Sequence, residues 1–398
     1  TTTALTSICS QISSEQKKGQ HVALASYDLT AAFDCLDSVI LDRKLEHYGL
    51  SNVSREWIKS FLRGRKQFVK VGDGRSDTID IDFGSPQGSI LSPLLYFIYV
   101  ADLDLWLSEG ITSLYADDIG VTTSDKTPEG SVRRLETAST EIFKYLASNL
   151  LIANATKTAF FVIRSANKNE QYTLTVDDDR IQESNVITLL GVAISRDMSW
   201  SMQVQNLTSS LRSSIGLMSR LSTYIPNRCL TPLVHGLLLS KVRYALPLFA
   251  DIRMNTTDVD SGMMNGIQVE INRGLRIVVG VRISDRISVS ELLSRVGVPS
   301  INQLAAEVTL LETWKSINMD LPVSASFVWL DEYSNRTTRN TGKNLLFVPP
   351  PGGSAAGKFA RNSAILWNAA TDDIRCSDDR NAAKKAIRHF VRNLPKVH

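Results

Sequence analysis

Cysteine is scarce in this 398-residue chain, and what there is lies scattered: Cys9, Cys35, Cys229 and Cys376 form no Cys-x-x-Cys pair and have no histidine at ligand spacing. That argues against a zinc site, a redox pair or a disulfide-stapled fold, and suits a reducing, intracellular setting. Long apolar runs are also missing. The best candidate, residues 91–107, is broken by Asp102 and Asp104, whereas a spanning helix needs roughly 18 consecutive apolar residues, so no membrane contact is expected. Residues 1–10 have no basic leader, no apolar stretch and no initiator Met, so they read as neither a signal peptide nor a natural start, and an N-terminal truncation is expected. Internal repeats are absent. Beyond one Pro/Gly/Ser stretch at 349–354, low-complexity sequence is absent too.

What remains is ordinary for a globular protein, with 43% hydrophobic and 21% charged residues. The length points to two or three packed units. The net charge of +3 conceals an asymmetry: residues 1–200 carry 20 Lys+Arg against 26 Asp+Glu, a balance of −6, and residues 201–398 carry 24 against 15, a balance of +9. A basic second half suits a polyanion such as nucleic acid, although a scattered basic surface also serves solvation.

Periodicity predicts a buried strand at 21–28, helices at 38–48 and 54–62, and a hairpin of 67–71 with 77–83 around Gly72-Asp73-Gly74. A loop, Gly84-Ser85-Pro86-Gln87-Gly88-Ser89, leads into a helix expected over 91–107. Strands at 112–115 and 119–123 flank Ala116-Asp117-Asp118, which predicts a hairpin with acids at its tip. A long helix at 128–149 and strands at 159–164, 172–176 and 186–193 follow. Beyond Trp200 the pattern is helical: 202–224, 230–249, 265–279, 288–295, 301–319, 359–374 and 382–394. The fold class expected is therefore α+β for about 200 residues, an antiparallel sheet with helices on one face, followed by helices.

Three acids carry the chemistry: Asp28, where a strand ends, and Asp117 and Asp118, at a hairpin. If that strand lies beside the hairpin, their mutual repulsion calls for a divalent cation. Two hard cations on oxygen ligands suit phosphoryl transfer, whereas an isolated Asp-Asp pair most often fills a turn. Asp34 and Asp37 read as structural or solvated, and Asp177-Asp178-Asp179 as a hairpin turn.

Three features occur together: Tyr27-Asp28-Leu29-Thr30-Ala31-Ala32-Phe33-Asp34, then Pro86-Gln87-Gly88-Ser89 before a helix, then Tyr115-Ala116-Asp117-Asp118 in a hairpin. In this order and at these intervals the chain resembles the reverse transcriptases of non-LTR (LINE-type) retrotransposons. The resemblance extends to Asn154-Ala155-Thr156-Lys157-Thr158, similar to the fourth palm motif, and to Leu190-Gly191-Val192, similar to the primer-gripping hairpin. Phe359-Ala360-Arg361 and Leu366-Trp367-Asn368 are similar to the last region of Jockey-like elements.

The resemblance implies a right-hand polymerase: a partial fingers and palm at 1–200, a helical thumb at 201–300 and a basic helical C-terminal region at 301–398. It implies that Asp28 and Asp117 hold two Mg²⁺ ions, with Asp118 supporting them and the Leu29 carbonyl as a further ligand. Phe33 would lie under the sugar of the incoming nucleotide and exclude a 2′-hydroxyl, or else be a core aromatic. Gln87 and Gly88 would lie against nucleotide and template base. Lys157 would be a general acid or cation beside the leaving pyrophosphate, or a solvated loop lysine. Tyr115 would pack beneath the acids, or simply as a strand aromatic. Leu190 and Gly191 would grip the primer.

Arg63, Arg65, Lys66 and Lys70 form a basic cluster suited to template phosphates or to solvation. The partners implied are an RNA template, a DNA primer and deoxynucleoside triphosphates, and the family suggests the nucleus, with the cytoplasm open. The resemblance implies fingers upstream of the first acid, and with 27 residues before Asp28 most of them are expected to be absent, which leaves a catalytically inactive nucleic-acid-binding fragment as the alternative to an active polymerase. A nucleotide cyclase fits less well, since it needs neither Pro86-Gln87-Gly88 nor a large helical half.

Overall fold

Alternating small and large apolar residues at the start of the polymerase-like segment produce the central strand of the molecule. The structure is a computed structural model that describes every residue except 31, 155–156, 165–169, 177, 253–261, 334–343, 351–356 and 395–398. Two units divide the chain, one of Gly19–Leu190 and one of Thr1–Lys18 with Gly191–His398. The opening helix α1 (Thr2–Lys17) belongs to the second unit. Its Leu5, Ile8, Cys9 and Ile12 recur at helical spacing and are buried, and the Thr3 hydroxyl donates to the Glu312 carboxylate.

In the Gly19–Leu190 unit, β1 (His21–Thr30) is the middle strand. The helices α2 (Ser38–His47) and α3 (Asn52–Leu62) follow, with Asp37 capping the first by accepting from the Val39 and Ile40 amides at 2.8 Å. Asp37 is therefore structural, as expected. Next come four short strands: β2 (Arg65–Gln67) pairs with β5 (Ile79–Ile81), and β3 (Lys70–Val71) with β4 (Gly74–Arg75), giving the expected hairpin.

The helix expected over 91–107 is shorter. α4 is Ser92–Val100, and a 3₁₀ turn, Leu103–Leu105, follows. The Asp102 carboxylate explains the break: it takes the Lys44 ammonium at 2.7 Å and the Tyr145 hydroxyl at 2.5 Å, contacts a continuing helix would have to give up. Burial, countered by Asp102, lowers the Lys44 pKa.

The strands β6 (Ile111–Tyr115) and β7 (Asp118–Asp125) form an antiparallel hairpin, and α5 (Pro128–Ser148) packs on β1 and β7. With β8 (Ile152–Ala153) and β9 (Ala159–Val162) the sheet runs β6-β7-β1-β8, with β9 also on β1. Ala23, Ala25, Tyr27 and Leu29 point from β1 into one core with Leu135, Ala138 and Ile142 of α5. The small alanines let the helix lie close. Tyr27 closes the layer, its hydroxyl 2.6 Å from Ser139 Oγ.

A second hairpin, β10 (Thr173–Val176) with β11 (Asp179–Gln182), turns where the aspartate run was expected to; of that run, Asp177 lies outside the described residues. It is tied back by Glu183, whose carboxylate takes Arg164 through both oxygens, at 2.9 and 2.7 Å, and the Val162 and Tyr172 amides. The strand expected over 186–193 is two strands, β12 (Val186–Leu189) and β13 (Val192–Ser195), because Leu190 and Gly191 both take left-handed φ, 52° and 71°.

The rest is helical: α6 (Ser201–Leu221), α7 (Gly262–Val279), α8 (Val289–Val296), α9 (Ile301–Asn318), α10 (Lys358–Ala369) and α11 (Arg380–Arg392). The single helix expected over 230–249 runs to Arg243 with a π turn at Val234–Leu239, and breaks where Tyr244 is extended and Ala245 takes φ 57° ahead of Pro247. The helix expected over 359–374 ends at Ala369, where Ala370 is extended, and resumes as Asp372–Arg375. The motif Leu366-Trp367-Asn368 proves structural. Leu366 and Trp367 are buried, and the Asn368 amide closes a two-bond ring with the Leu346 backbone, both bonds 2.8 Å. The 349–354 stretch lies mostly outside the described residues.

Candidate active site

The antiparallel register of β1 and β7 sets Asp28 directly opposite Asp118. The hairpin is tighter than the sequence suggests. Only Ala116 and Asp117 form its turn, Ala116 at φ 54°, and Asp118 already pairs with Tyr115 in the ladder. Two carboxylates therefore project as a cross-strand pair and the third sits one residue away in the turn, an arrangement that concentrates like charge. Asp118 registers it: burial first, then the charges of Asp117 and Asp28, push its carboxyl above the usual range, and a backbone hydrogen bond from Leu190 opposes them. The turn expected to grip a primer thus reaches Asp118, one of the three candidate acids, through Leu190.

Lys157 stands beside the acids. Its backbone N–H bonds the Asn154 carbonyl at 3.0 Å, the Asn154 N–H bonds the Asp28 carbonyl at 3.0 Å, and its Nζ lies 3.1 Å from Asp28 Oδ2. Both side chains remain accessible, 65% for Lys157 and 40% for Asp28, so a ligand can reach the pair. Ala155 and Thr156 of the same motif lie outside the described residues.

A second group assembles around Phe33. The Phe33 carbonyl accepts from the Ser85 N–H at 3.0 Å, the Leu36 carbonyl accepts from the Gly84 N–H at 2.8 Å, and the Phe33 ring lies 4.7 Å from that of Tyr96. Phe33 is only partly buried against the core. Gly84 is required here: its φ is 77°, and a Cβ would stand 2.8 Å from Asp34 Cα. Asp34, read from the sequence as structural or solvated, accepts from Gln87 Nε2 at 3.1 Å. An ionised carboxylate only accepts, so this bond turns the Gln87 amide oxygen away from Asp34 as a free-facing acceptor. Gly88 takes φ 81° in the same loop.

The basic cluster divides. Arg65 donates to the carbonyls of Leu62 at 2.7 Å, Phe83 at 2.7 Å and Gly84 at 2.6 Å, which makes it a clamp on the Gly84 loop. Arg63 reaches Ser38 Oγ, Lys66 pairs with Asp80 at 3.1 Å, and Lys70 is exposed on β3. Tyr115 is 43% exposed beside the turn and so is not a buried strand aromatic. Nothing local signals the Asp34–Gln87 bond or Tyr96 under Phe33, since each joins residues more than 50 positions apart.

Among the described residues no three of His, Cys, Asp and Glu come together as a ligand set for a metal ion. The chemistry of the donors nonetheless fits a hard divalent cation: they are carboxylates, they repel one another, and the raised Asp118 carboxyl is a charge without full compensation. Lys157 supplies one positive charge on Asp28 in its place.

An antiparallel sheet with acids on its central strand and adjoining hairpin, helices behind it and a helical unit besides, defines a right-hand polymerase palm of α+β class. Residues 2–194 match the family described as Reverse transcriptase (RNA-dependent DNA polymerase), and they are a reverse transcriptase domain of the non-LTR, LINE-type kind. The RNA-directed DNA polymerase from mobile element jockey of Drosophila funebris is 29% identical over 169 residues, 41% of this chain and 18% of that protein. The probable RNA-directed DNA polymerase from transposon X-element of Drosophila melanogaster is 24% identical over 200 residues, 47% of this chain and 21% of that protein. The aligned segments thus span about a fifth of these curated relatives. Among solved structures, a telomerase from Candida tropicalis in complex with a telomeric RNA fragment overlays with TM-score 0.39 and 12% identity, covering 97% of this chain and 52% of that one. No helix among the described residues is long and apolar enough to cross a membrane.

Proposed function

We propose that the chain acts as an RNA-directed DNA polymerase of a non-LTR retrotransposon, adding deoxynucleotides to a DNA primer on an RNA template. One observation carries this reading: Asp28 faces Asp118 across the β1–β7 ladder, with Asp117 in the adjoining turn. In the reaction the primer 3′-hydroxyl oxygen attacks the α-phosphorus and releases its proton to solvent, a new phosphodiester forms, and the bond to pyrophosphate breaks. Asp28, Asp117 and Asp118, with the Leu29 carbonyl, would hold two Mg²⁺ ions, which when bound neutralise the triphosphate and the attacking oxygen. Lys157 would give up its partner Asp28 and face the leaving pyrophosphate, to which an ammonium can deliver a proton. Phe33, backed by Tyr96, would present a ring edge where a 2′-hydroxyl would sit. Gln87, fixed by Asp34, would offer an acceptor to the nucleotide, and Leu190 and Gly191 would approach the primer end. Tyr115 would border the nucleotide from the exposed hairpin end. Arg63, Lys66 and Lys70 would meet template phosphates, with Arg65 shaping the loop beside them. In this reading residues 1–200 serve as partial fingers and palm, 201–300 as thumb and 301–398 as a nucleic-acid-binding region, and the site of action is the nucleus.

The test is extension of a DNA primer on an RNA template with Mg²⁺ and deoxynucleotides. The unaltered chain is expected to extend the primer, and Asp117→Asn to lower the rate about 10²–10³-fold, the scale on which positioned electrostatic groups act. Extension retained in Asp117→Asn would sink the assignment. No extension by either protein, with RNA binding kept, would identify an inactive binding fragment.

A further inference from the structure

The last described helix, α11 (Arg380–Arg392), is charged with one sign along its length. It carries Arg380, Lys384, Lys385, Arg388, His389 and Arg392 and not one acid. Arg380/Lys384, Lys384/Arg388 and Arg388/Arg392 are like-charge pairs at i,i+4 spacing, each costing about 0.2–0.5 kcal/mol in an isolated helix. The helix is held regardless. Ala383, Ile387 and Val391 are buried against a core that includes Leu310 and Trp314 of α9, Asp379 caps the first turn by accepting from the Ala382 N–H at 2.7 Å, and Arg388 Nε lies 3.0 Å from the Glu307 carboxylate.

Arg388 is the one cation of the helix with an ion-pair partner among the described residues. Arg380, Lys385, His389 and Arg392 are exposed and Lys384 is half-buried. The charge is also regional. Gly19–Leu190 holds 17 Lys+Arg against 24 Asp+Glu, a balance of −7, and the other unit holds 27 against 17, a balance of +10.

Resting on the reading of 301–398 as a nucleic-acid-binding region, we propose that the exposed face of α11 is a binding surface for the phosphate backbone of duplex DNA. A solvated helix gains nothing from the like-charge pairs along Arg380, Lys384, Arg388 and Arg392, whereas a polyanion laid along it offsets that repulsion. The twelve-residue reach from Arg380 to Arg392 is about 18 Å at 1.5 Å per residue, long enough to meet several phosphates of a duplex that carries one charge per roughly 1.7 Å. The face carries no exposed aromatic; Phe390 is turned partly into the core, so there is no platform on which unpaired bases would stack. That favours a duplex over a single strand. A rigid helix also suits the wide major groove of B-form DNA better than the deep, narrow groove of an RNA duplex. Recognition would be independent of base sequence.

The experiment is fluorescence anisotropy of a labelled 20-bp DNA duplex with the full chain, without Mg²⁺ or nucleotides, between 50 and 300 mM KCl. Each phosphate contact contributes about 0.9 to the slope of log K against log salt, so the triple variant Arg380→Gln, Lys385→Gln, Arg392→Gln is expected to flatten it by about 2.7 and to weaken binding at least about tenfold. An unchanged slope in a variant whose melting is unaltered overturns the proposal. If the triple variant melts early, the single Lys385→Gln change at an exposed position replaces it, with an expected loss of about 0.9 in slope. Tighter binding of single-stranded RNA than of duplex DNA, with the same residues responsible, also overturns it. Because no polymerisation is measured, a failed extension assay and a failed binding assay are separate outcomes.

Discussion

At Asp118 the proposed chemistry and the stability of the chain meet in a single carboxyl. Its pKa is raised by burial and by Asp117 and Asp28, so the ionised form is less welcome in the folded chain than in the unfolded one. A raised acid costs stability as pH rises through its folded value, and the cost is present in full at neutral pH. Asp118→Asn removes that charge while keeping an oxygen for Leu190. It is expected to stabilise the chain at pH 7 by a few tenths of a kcal/mol, about half a degree in the melting temperature of a chain of this size, and by less near pH 4. Thermal melts of both proteins across that range check it, and a variant less stable than the parent at pH 7 would refute it. The same substitution is expected to abolish extension, so the residue is held against stability. Such trade-offs are characteristic of functional sites.

Between elements, the Gly84 loop shows how a site is built from segments far apart in sequence. Its glycine lies against Asp34, its carbonyls are clamped by Arg65 from β2, and its glutamine is oriented by Asp34. Gly84→Ala meets both an unfavourable φ and backbone atoms at 2.8 Å, which cannot rotate away. A loss of about 2–4 kcal/mol in unfolding free energy is expected, read from the denaturant midpoint. An unshifted midpoint would mean that the loop does not need its close approach. The motif Gly84-Ser85-Pro86-Gln87-Gly88-Ser89 was legible as a turn before a helix, but its partner was not, because no local pattern couples residue 34 to residue 87.

Across the whole molecule the C-terminal motif proves to be part of the core. Leu366-Trp367-Asn368 carries no reactive group into a site; Trp367 is 1% exposed and its indole N–H bonds the Asn344 carbonyl at 2.9 Å. Trp367→Ala is expected to cost about 3–5 kcal/mol through the cavity it leaves. Circular dichroism melts should show an early transition, and a variant with parental melting would contradict the core assignment. Resemblance alone could not separate a fold-making tryptophan from a functional one, since both appear as motif residues.

The sequence by itself determined the class: strands at 21–28, 112–115 and 159–164 and long amphipathic helices are local patterns, and three motifs at set intervals identify a reverse transcriptase domain. Local periodicity suffices for such elements because each helix or strand records its own buried face every 3.6 or 2 residues. The tertiary structure alone decided the rest. It placed Asp118 in the ladder and not at the tip, split the strand of 186–193 at two left-handed residues, broke the helix of 230–249 at Ala245, and gave Gln87 to Asp34 and Lys157 to Asp28. These are contacts between residues distant in the chain, fixed by register and packing, and one residue of register moves a side chain to the other face of a sheet.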